Sequence, residues 1–279
     1  MPESPEVQAL VEELGERTVG RVVREVDVLE FRVVKTRRRP PAELVGARVA
    51  GVARHGKHVD VGFDDGRHLV VSLGRHGWAR WAGADAAADA PPVLLTIGFD
   101  DGPALEFTDA GGWVSLGVSV VDDPAEVSAI AKLGPDPAAP SYSRADFDRA
   151  FAGRRKQTKA VLQEQESIAG IGNAYSDEIL FRARRSPVAH AASLDPAELD
   201  ALFAATVGEI TEAIAARRGI PIAELKAAKV ATMRVHGRTG EPCPGCDGTI
   251  RDFAFASTVG QYCPNCQTGG ELLPAPAGG

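Results

Sequence analysis

Apolar and polar positions along the chain follow two rhythms, and the change comes near residue 130. Val7, Leu10, Val11 and Leu14 recur at helical spacing, which predicts a first helix lying on a core. Ser4 suits its N-cap, Pro5 its first helical position, and Glu6 its acid-favouring first turn. Residues 21–34 then alternate, with Val22, Val26 and Val28 set against Arg24 and Asp27, and read as a strand. Strand patterns follow at 48–63, 68–81, 93–99 and 105–108, rich in Val, Leu and Ile and broken by Asp64-Asp65-Gly66 and Asp100-Asp101-Gly102. Short strands at this rhythm predict a sandwich or a barrel. The Ala, Asp and Pro of 84–92 read as a solvated loop.

Leu133-Gly134-Pro135-Asp136-Pro137 and Ala138-Ala139-Pro140 form a proline-rich joint, where a domain boundary is expected. Beyond it 143–151, 156–165, 174–184, 196–218 and 222–229 read as helices. Ser143 with Asp146 heads the first, Asp195-Pro196 starts the fourth and Gly219 stops it. From Arg234 short turns and strands surround the cysteines, and the Gly/Pro/Ala end is expected to fray. The fold class is therefore α+β. Its expected parts are a β-domain over 1–130, a helical domain over 131–233, a cysteine module over 234–270 and a tail over 271–279.

Composition narrows the class. The 279 residues are 44% hydrophobic and 25% charged, as in soluble globular proteins. No apolar run approaches the roughly 18 to 20 residues that span a bilayer, and the acidic, proline-bearing start does not resemble a signal peptide, so no membrane role and a cytoplasmic location are expected. The net charge of -7 weighs against indiscriminate nucleic-acid binding and leaves room for a local basic face.

Four stretches carry candidate chemistry. Cys243-x2-Cys246-x16-Cys263-x2-Cys266 offers two thiolate pairs that close a tetrahedron around Zn²⁺, with 249–262 long enough for a hairpin between them. Such a closed site is structural, since it leaves no open position. Ile168-Ala169-Gly170-Ile171-Gly172-Asn173 is a glycine-bearing turn ahead of a helix that Asn173 would cap, and a helix start of this kind suits a phosphate. Arg154, Arg155, Lys156 and Lys159 precede it, and Arg182, Arg184, Arg185, Arg234, His236 and Arg238 follow. Arg54-His55-Gly56-Lys57-His58 lies at a bend between strand patterns, where Lys57 is a solvated charge or else a phosphate contact or a catalytic proton carrier held on a rigid sheet. At the start, removal of Met1 turns the ring nitrogen of Pro2 into a secondary amine that titrates near pH 8, with Glu3 beside it as a proton carrier. Alone, that stretch equally describes an inert terminus.

Taken in order, Met-Pro-Glu-x-Pro-Glu-Val, the Gly56-Lys57 bend, Leu-Gly-Pro-Asp-Pro, Gly-Ile-Gly-Asn-x-Tyr-x-Asp-Glu and the four-cysteine module after Val235-His236-Gly237-Arg238 resemble the formamidopyrimidine-DNA glycosylase and endonuclease VIII family. The resemblance runs from residue 2 to about residue 270. It implies an N-terminal antiparallel β-sandwich, a helix-two-turns-helix domain and a zinc-binding β-hairpin holding one structural Zn²⁺. It also implies a monomeric base-excision repair enzyme, bound to damaged duplex or single-stranded DNA and so associated with the nucleoid. Pro2 would attack C1′ through a Schiff base, Glu3 would act as acid and base on the sugar, and Glu6 would orient the site. Lys57, Asn173 and, from a weaker match, Arg154 would grip phosphate.

The departures are as informative. Thr258 stands where the family places an arginine on the zinc hairpin, Arg75 follows Leu73-Gly74 where a methionine is usual, and Asp109-Ala110-Gly111-Gly112-Trp113 replaces an Asp-Pro-Arg-Arg-Phe wedge. Arg75 and Trp113 are the candidates to fill the space left by a flipped base. Two readings stay open: a glycosylase with AP lyase activity, and a non-catalytic binder of damaged or structured DNA on the same fold. A zinc-stabilised module with no nucleic-acid role leaves the Gly-Ile-Gly-Asn turn unexplained.

Overall fold

The computed structural model describes residues 2–83, 90–256 and 258–276, so most of the 84–92 loop lies outside the described residues. The chain forms two compact units, Met1–Lys132 with Arg217–Lys226 and Leu133–Ala216 with Ala227–Gly279. No helix among the described residues is long and apolar enough to cross a membrane.

The first unit is a β-sandwich. Its helix α1 (Ser4–Thr18) is followed by β1 (Val23–Val28), β2 (Val49–His55), β3 (His58–Phe63), β4 (His68–Ser72), β5 (Gly77–Trp81), β6 (Val93–Phe99), β7 (Leu105–Asp109) and β8 (Gly117–Val121). Antiparallel pairing gives two four-stranded sheets, ordered β1-β6-β7-β5 and β2-β3-β4-β8. Alternation decides the core: Val59, Val61, Leu69, Val71, Val118 and Val120 of one sheet join Leu95, Ile97, Phe107 and Ala79 of the other in a single buried cluster. Val7, Leu10 and Leu14 of α1 enter the same cluster, as their spacing predicts.

Three local differences from the sequence pattern have physical causes. The expected 21–34 strand stops at Val28, because Leu29 and Glu30 both donate to the Leu94 carbonyl and Phe31–Val33 then winds into a 3-10 turn. The 68–81 pattern splits at Gly74, whose φ of 58 and approach to Ser115 admit no side chain: a Cβ there would lie 2.3 Å from the Ser115 carbonyl oxygen. Strand β8 went unread in the sequence, since Gly117-Val-Ser-Val-Val is buried at every position and shows no alternation.

The second unit contains α3 (Arg144–Phe151), α4 (Thr158–Gln163), α5 (Asn173–Arg182), most of α6 (Pro196–Arg217) and of α7 (Leu225–Thr232), strands β9 (Arg251–Phe255) and β10 (Thr258–Tyr262), and α8 (Pro264–Gln267); a short α2 (Ser128–Ala131) precedes them in the first unit. Ser143 and Asp146 form the expected capping box on α3. Phe147, Phe151, Val161, Leu162, Ile171, Tyr175, Ile179 and Leu202 make its core.

Candidate functional site

The N-cap of α1 is Glu3, one residue earlier than the sequence predicts. The Glu6 carboxylate accepts the Glu3 N–H at 3.1 Å while the Glu3 side chain accepts the Glu6 N–H, so two carboxylates are locked into a reciprocal box. Ser4 is left free of the capping role, and its hydroxyl accepts from Arg54 at 3.0 Å. Pro2 is buried, and Glu3 and Glu6 are each only 1% exposed. Behind them lies Arg217, also 1% exposed, with Nε 3.7 Å from Glu6 Oε1. A buried guanidinium at this range offsets the charge of the carboxylate pair in a site where water cannot. Nothing in the sequence separated Arg217 from its neighbour Arg218, and it stands 211 positions from Glu6.

Lys57 sits on the two-residue turn between β2 and β3, after Gly56, whose φ of 56 meets the positive-φ demand of the first turn position. Arg54 joins this turn to the helix that carries Pro2. Its Nε donates to Gln8 Oε1 at 2.9 Å, and its Nη1 donates to Ser4 Oγ and the Gly56 carbonyl at 3.0 Å each. The sequence showed Arg54 only as part of the turn, because its partners are set by how α1 lies on the sheet.

Arg75 and Trp113 are exposed, Trp113 by 66%, on two loops that are clamped together. The backbone N–H groups of Arg75 and His76 both donate to Ser115 Oγ at 3.1 Å, and that hydroxyl donates to Asp109 Oδ2 at 2.8 Å. Asp109 also accepts from the backbone of Gly111, Ser115 and Leu116 at 2.8–2.9 Å. Burial works to raise the Asp109 carboxyl, but these donors together outweigh it and hold the group below the usual carboxylate range. Its contribution to stability is therefore present above pH ~4 and is lost as pH falls through the lowered value. Asp109→Asn turns an amide donor toward those N–H groups and is expected to cost about 1–3 kcal/mol, read by urea unfolding followed at Trp113.

In the second unit Asn173 is the first residue of α5, and Gly172 is its N-cap, which corrects the expected capping role. The Asn173 amide instead donates to the Val259 carbonyl at 2.9 Å on β10 and accepts from Gln163 at 3.3 Å. Its orientation is thus set by the hairpin. The Asp-Glu pair that closes the motif binds the segment entering the cysteine module: Asp177 takes Lys159 at 2.6 Å, His236 at 2.8 Å and the Gln261 N–H, while Glu178 accepts the N–H groups of Arg234, Val235 and His236 at 2.8–2.9 Å. Much of the expected basic face is internally compensated. Glu164 pairs with Lys156 and Arg154 and accepts from Ser167, and these contacts, Lys156 first, bring its carboxyl down to about 2. Arg182 pairs with Glu212, Arg185 with Glu198, and Arg234 with Glu178 and Glu209.

The four cysteines converge, with all four sulfurs within 4.8 Å of one another. Cys243 to Cys266 is 3.8 Å and Cys246 to Cys263 is 3.5 Å, close to the edge of about 3.8 Å that a tetrahedron of roughly 2.3 Å Zn–S bonds requires and far beyond a disulfide of roughly 2.05 Å. Gly245 and Gly248 N–H groups point at Cys243 and Cys246 sulfurs, at 3.4 and 3.3 Å, as donors that stabilise thiolate. Burial pushes the Cys263 thiol up to about 11, so the ion must displace a proton there. The residues present fit one structural Zn²⁺.

Profiles of three families match the chain: the formamidopyrimidine-DNA glycosylase N-terminal domain over 1–113, the H2TH domain of the same proteins over 133–223, and a zinc finger found in these enzymes and in isoleucyl-tRNA synthetases over 240–269. The formamidopyrimidine-DNA glycosylase of Symbiobacterium thermophilum is 34% identical over 283 aligned residues, covering 96% of this chain and 89% of that one. The chain belongs to the formamidopyrimidine-DNA glycosylase family. An uncharacterised formamidopyrimidine-DNA glycosylase-like protein of Mycobacterium tuberculosis is 46% identical, over 50% of this chain and 88% of its own. Among solved structures, a formamidopyrimidine-DNA glycosylase of Lactococcus lactis, bound non-covalently to DNA containing an abasic site, superposes with a TM-score of 0.83 at 26% identity, covering 95% of this chain and 99% of that one. A complex of the same enzyme with DNA carrying an oxidised pyrimidine gives 0.84 at 26% identity.

Proposed function

We propose that this chain is a bifunctional DNA glycosylase and AP lyase of base-excision repair. The observation that carries the reading is the buried Pro2-Glu3-Glu6 constellation at the head of α1, set in a family of enzymes that act on damaged DNA. With Met1 removed, the Pro2 nitrogen attacks C1′ of the damaged nucleotide and the glycosidic bond breaks, the base leaving with a proton. The nitrogen lone pair then opens the sugar ring, Glu3 delivering a proton to the ring oxygen, and an iminium remains. That cation acidifies the C2′ proton; its removal by a base expels the 3′ phosphate and cuts the strand. Reaching C1′ requires the nucleotide to leave the stack, at a cost of a few kcal/mol.

Glu6, backed by Arg217, holds the Glu3 backbone and so the approach of the amine. Lys57 and Asn173 grip phosphates flanking the flipped nucleotide, with Arg154 able to contribute once a phosphate competes with Glu164. Arg75 and Trp113 stand where the duplex must be opened, and Trp113 fills the vacated space by stacking. The DNA partner is duplex or single-stranded, the working form is a monomer, and the place of action is the cytoplasmic nucleoid.

Borohydride reduction on abasic-site DNA tests the reading: the wild-type chain is expected to form a stable covalent adduct. Without an adduct the protein would be a binder of damaged DNA, a role that the missing wedge arginine favours. Arg54 is a positioning residue in this scheme, since it holds the Lys57 turn against α1. Arg54→Ala is expected to raise KM for abasic DNA by roughly tenfold with a smaller change in kcat, and Arg54→Lys to recover part of it. Equal losses in both constants would place Arg54 elsewhere.

A further inference from the structure

The first unit carries a surface that the repair scheme leaves unused. Residues 29–39 pass from the start of β6, where Leu29 N–H reaches the Leu94 carbonyl, to β8, where Lys35 N–H reaches the Val118 carbonyl. The segment holds five cations, Arg32, Lys35, Arg37, Arg38 and Arg39, against Glu30 alone, a net of +4 in a chain whose total is -7. Glu30 is consumed by Arg32 and Asp122 takes Arg39. Arg37 and Arg38 occupy the tip of a turn closed by Arg39 N–H on the Thr36 carbonyl, both exposed and neither with an ion-pair partner among the described residues.

The same segment displays Phe31, 80% exposed, beside Leu29 at 63%. Of the sixteen Phe, Trp and Tyr residues in the chain, all of them described, only Phe31 and Trp113 are exposed. Both border the start of β8. Trp113 precedes Gly117 by four residues, and the Lys35 side chain lies over Gly117, where a Cβ would come within 2.8 Å of it. Beside Lys35 opens a cavity of about 430 Å³, in which Lys35, His58, Ser72 and Ser115 share the lining with Val70, Val121 and Glu126. Ser115 is the residue that clamps the Trp113 loop, and His58 follows Lys57.

We infer that residues 29–39 and this cavity form a second nucleic-acid surface, which takes single-stranded DNA continuing from the nucleotide opened at Trp113. Arginines at a turn tip suit phosphates of any strand, but an exposed phenylalanine ring gains only from an unpaired base that lies flat on it, which selects single strands over duplex. Lys35, where the segment meets the cavity, supplies a further phosphate contact. The inference extends the repair reading and does not depend on catalysis.

The test compares a fluorescent oligo-thymidine with a duplex of equal length, by anisotropy across a salt series. Phe31→Ala is expected to weaken oligo-thymidine binding by roughly five- to tenfold and to leave duplex binding within about twofold. Arg37→Ala combined with Arg38→Ala is expected to make the slope of log K against log salt shallower by roughly 1.4 for the single strand, about 0.7 for each lost phosphate contact. Borohydride trapping on a short abasic duplex runs alongside and should match wild type in both variants, which shows that the chain is folded. Oligo-thymidine binding that is unchanged in both variants overturns the inference, and so does an equal loss for duplex. Selective loss of binding to poly-glutamate would assign the surface to an acidic protein and overturn it too. Failure of wild-type trapping with the Phe31 effect intact would sink the catalytic reading alone.

Discussion

Pro2→Gly is expected to reduce the borohydride-trapped adduct on abasic-site DNA by a hundredfold or more, about 2.7 kcal/mol of barrier. A secondary amine condenses directly to an iminium cation, which draws electrons without further protonation. A primary amine at glycine gives an imine that must first gain a proton, and glycine also lacks the ring that fixes φ beside the Glu3 cap. The helix itself should persist, because the Glu3–Glu6 box and the burial of Val7, Leu10 and Leu14 do not involve the ring. Thermal unfolding is therefore expected to move by about 1 kcal/mol, separating loss of chemistry from loss of fold. The same logic applies to the terminus: protein whose intact mass retains Met1 has an amide at Pro2 and should not be trapped. A Pro2→Gly protein that traps like wild type would assign the nucleophile to another amine.

Removal of the metal is the second large effect. Chelation is expected to release one zinc per chain and to unfold the β9–β10 hairpin, since the sulfurs have no other bond to hold them and structural zinc contributes on the order of 10–16 kcal/mol to such modules. The loss reaches Asn173, whose amide is aimed by the Val259 carbonyl on that hairpin. Affinity for abasic DNA should drop by roughly ten- to a hundredfold, about 1.4 to 2.8 kcal/mol. The chain carries its own reporters: Trp78, Trp81 and Trp113 all lie in the first unit, and Tyr142, Tyr175 and Tyr262 all in the second. Tryptophan emission should hold steady on chelation while the tyrosine signal changes. A tryptophan shift of equal size would mean that the first unit depends on the metal as well.

What could be read in the sequence was what local pattern decides. Strand β6 and the Ser143–Asp146 cap of α3 follow from residues within a few positions of one another, and Cys-x-x-Cys needs only its own turn to aim two sulfurs. Site residues that depend on tertiary approach were not legible. Arg217 owes its place to the return of residues 217–226 to the first unit, and Arg54 to the packing of α1 on β2. Arg154 and Arg182 read as members of a local basic face, and only the folded chain brings Glu164 and Glu212 to them. Asn173 read as a cap because asparagine favours that position, but its partner on β10 lies 86 residues away.

The return of residues 217–226 to the sandwich also sets an order of events in biosynthesis. Ile222 N–H donates to Glu13 at 2.7 Å across 209 residues, Trp78 donates to the Ile222 carbonyl, and Arg217 faces Glu6. A ribosome adding roughly 5–20 residues per second thus emits Pro2, the proposed nucleophile, first and supplies Arg217 some ten to forty seconds later. Throughout that interval Glu6 is without the Arg217 guanidinium that faces it in the folded chain. The head of α1 therefore reaches its folded surroundings only when the greater part of the chain has been made.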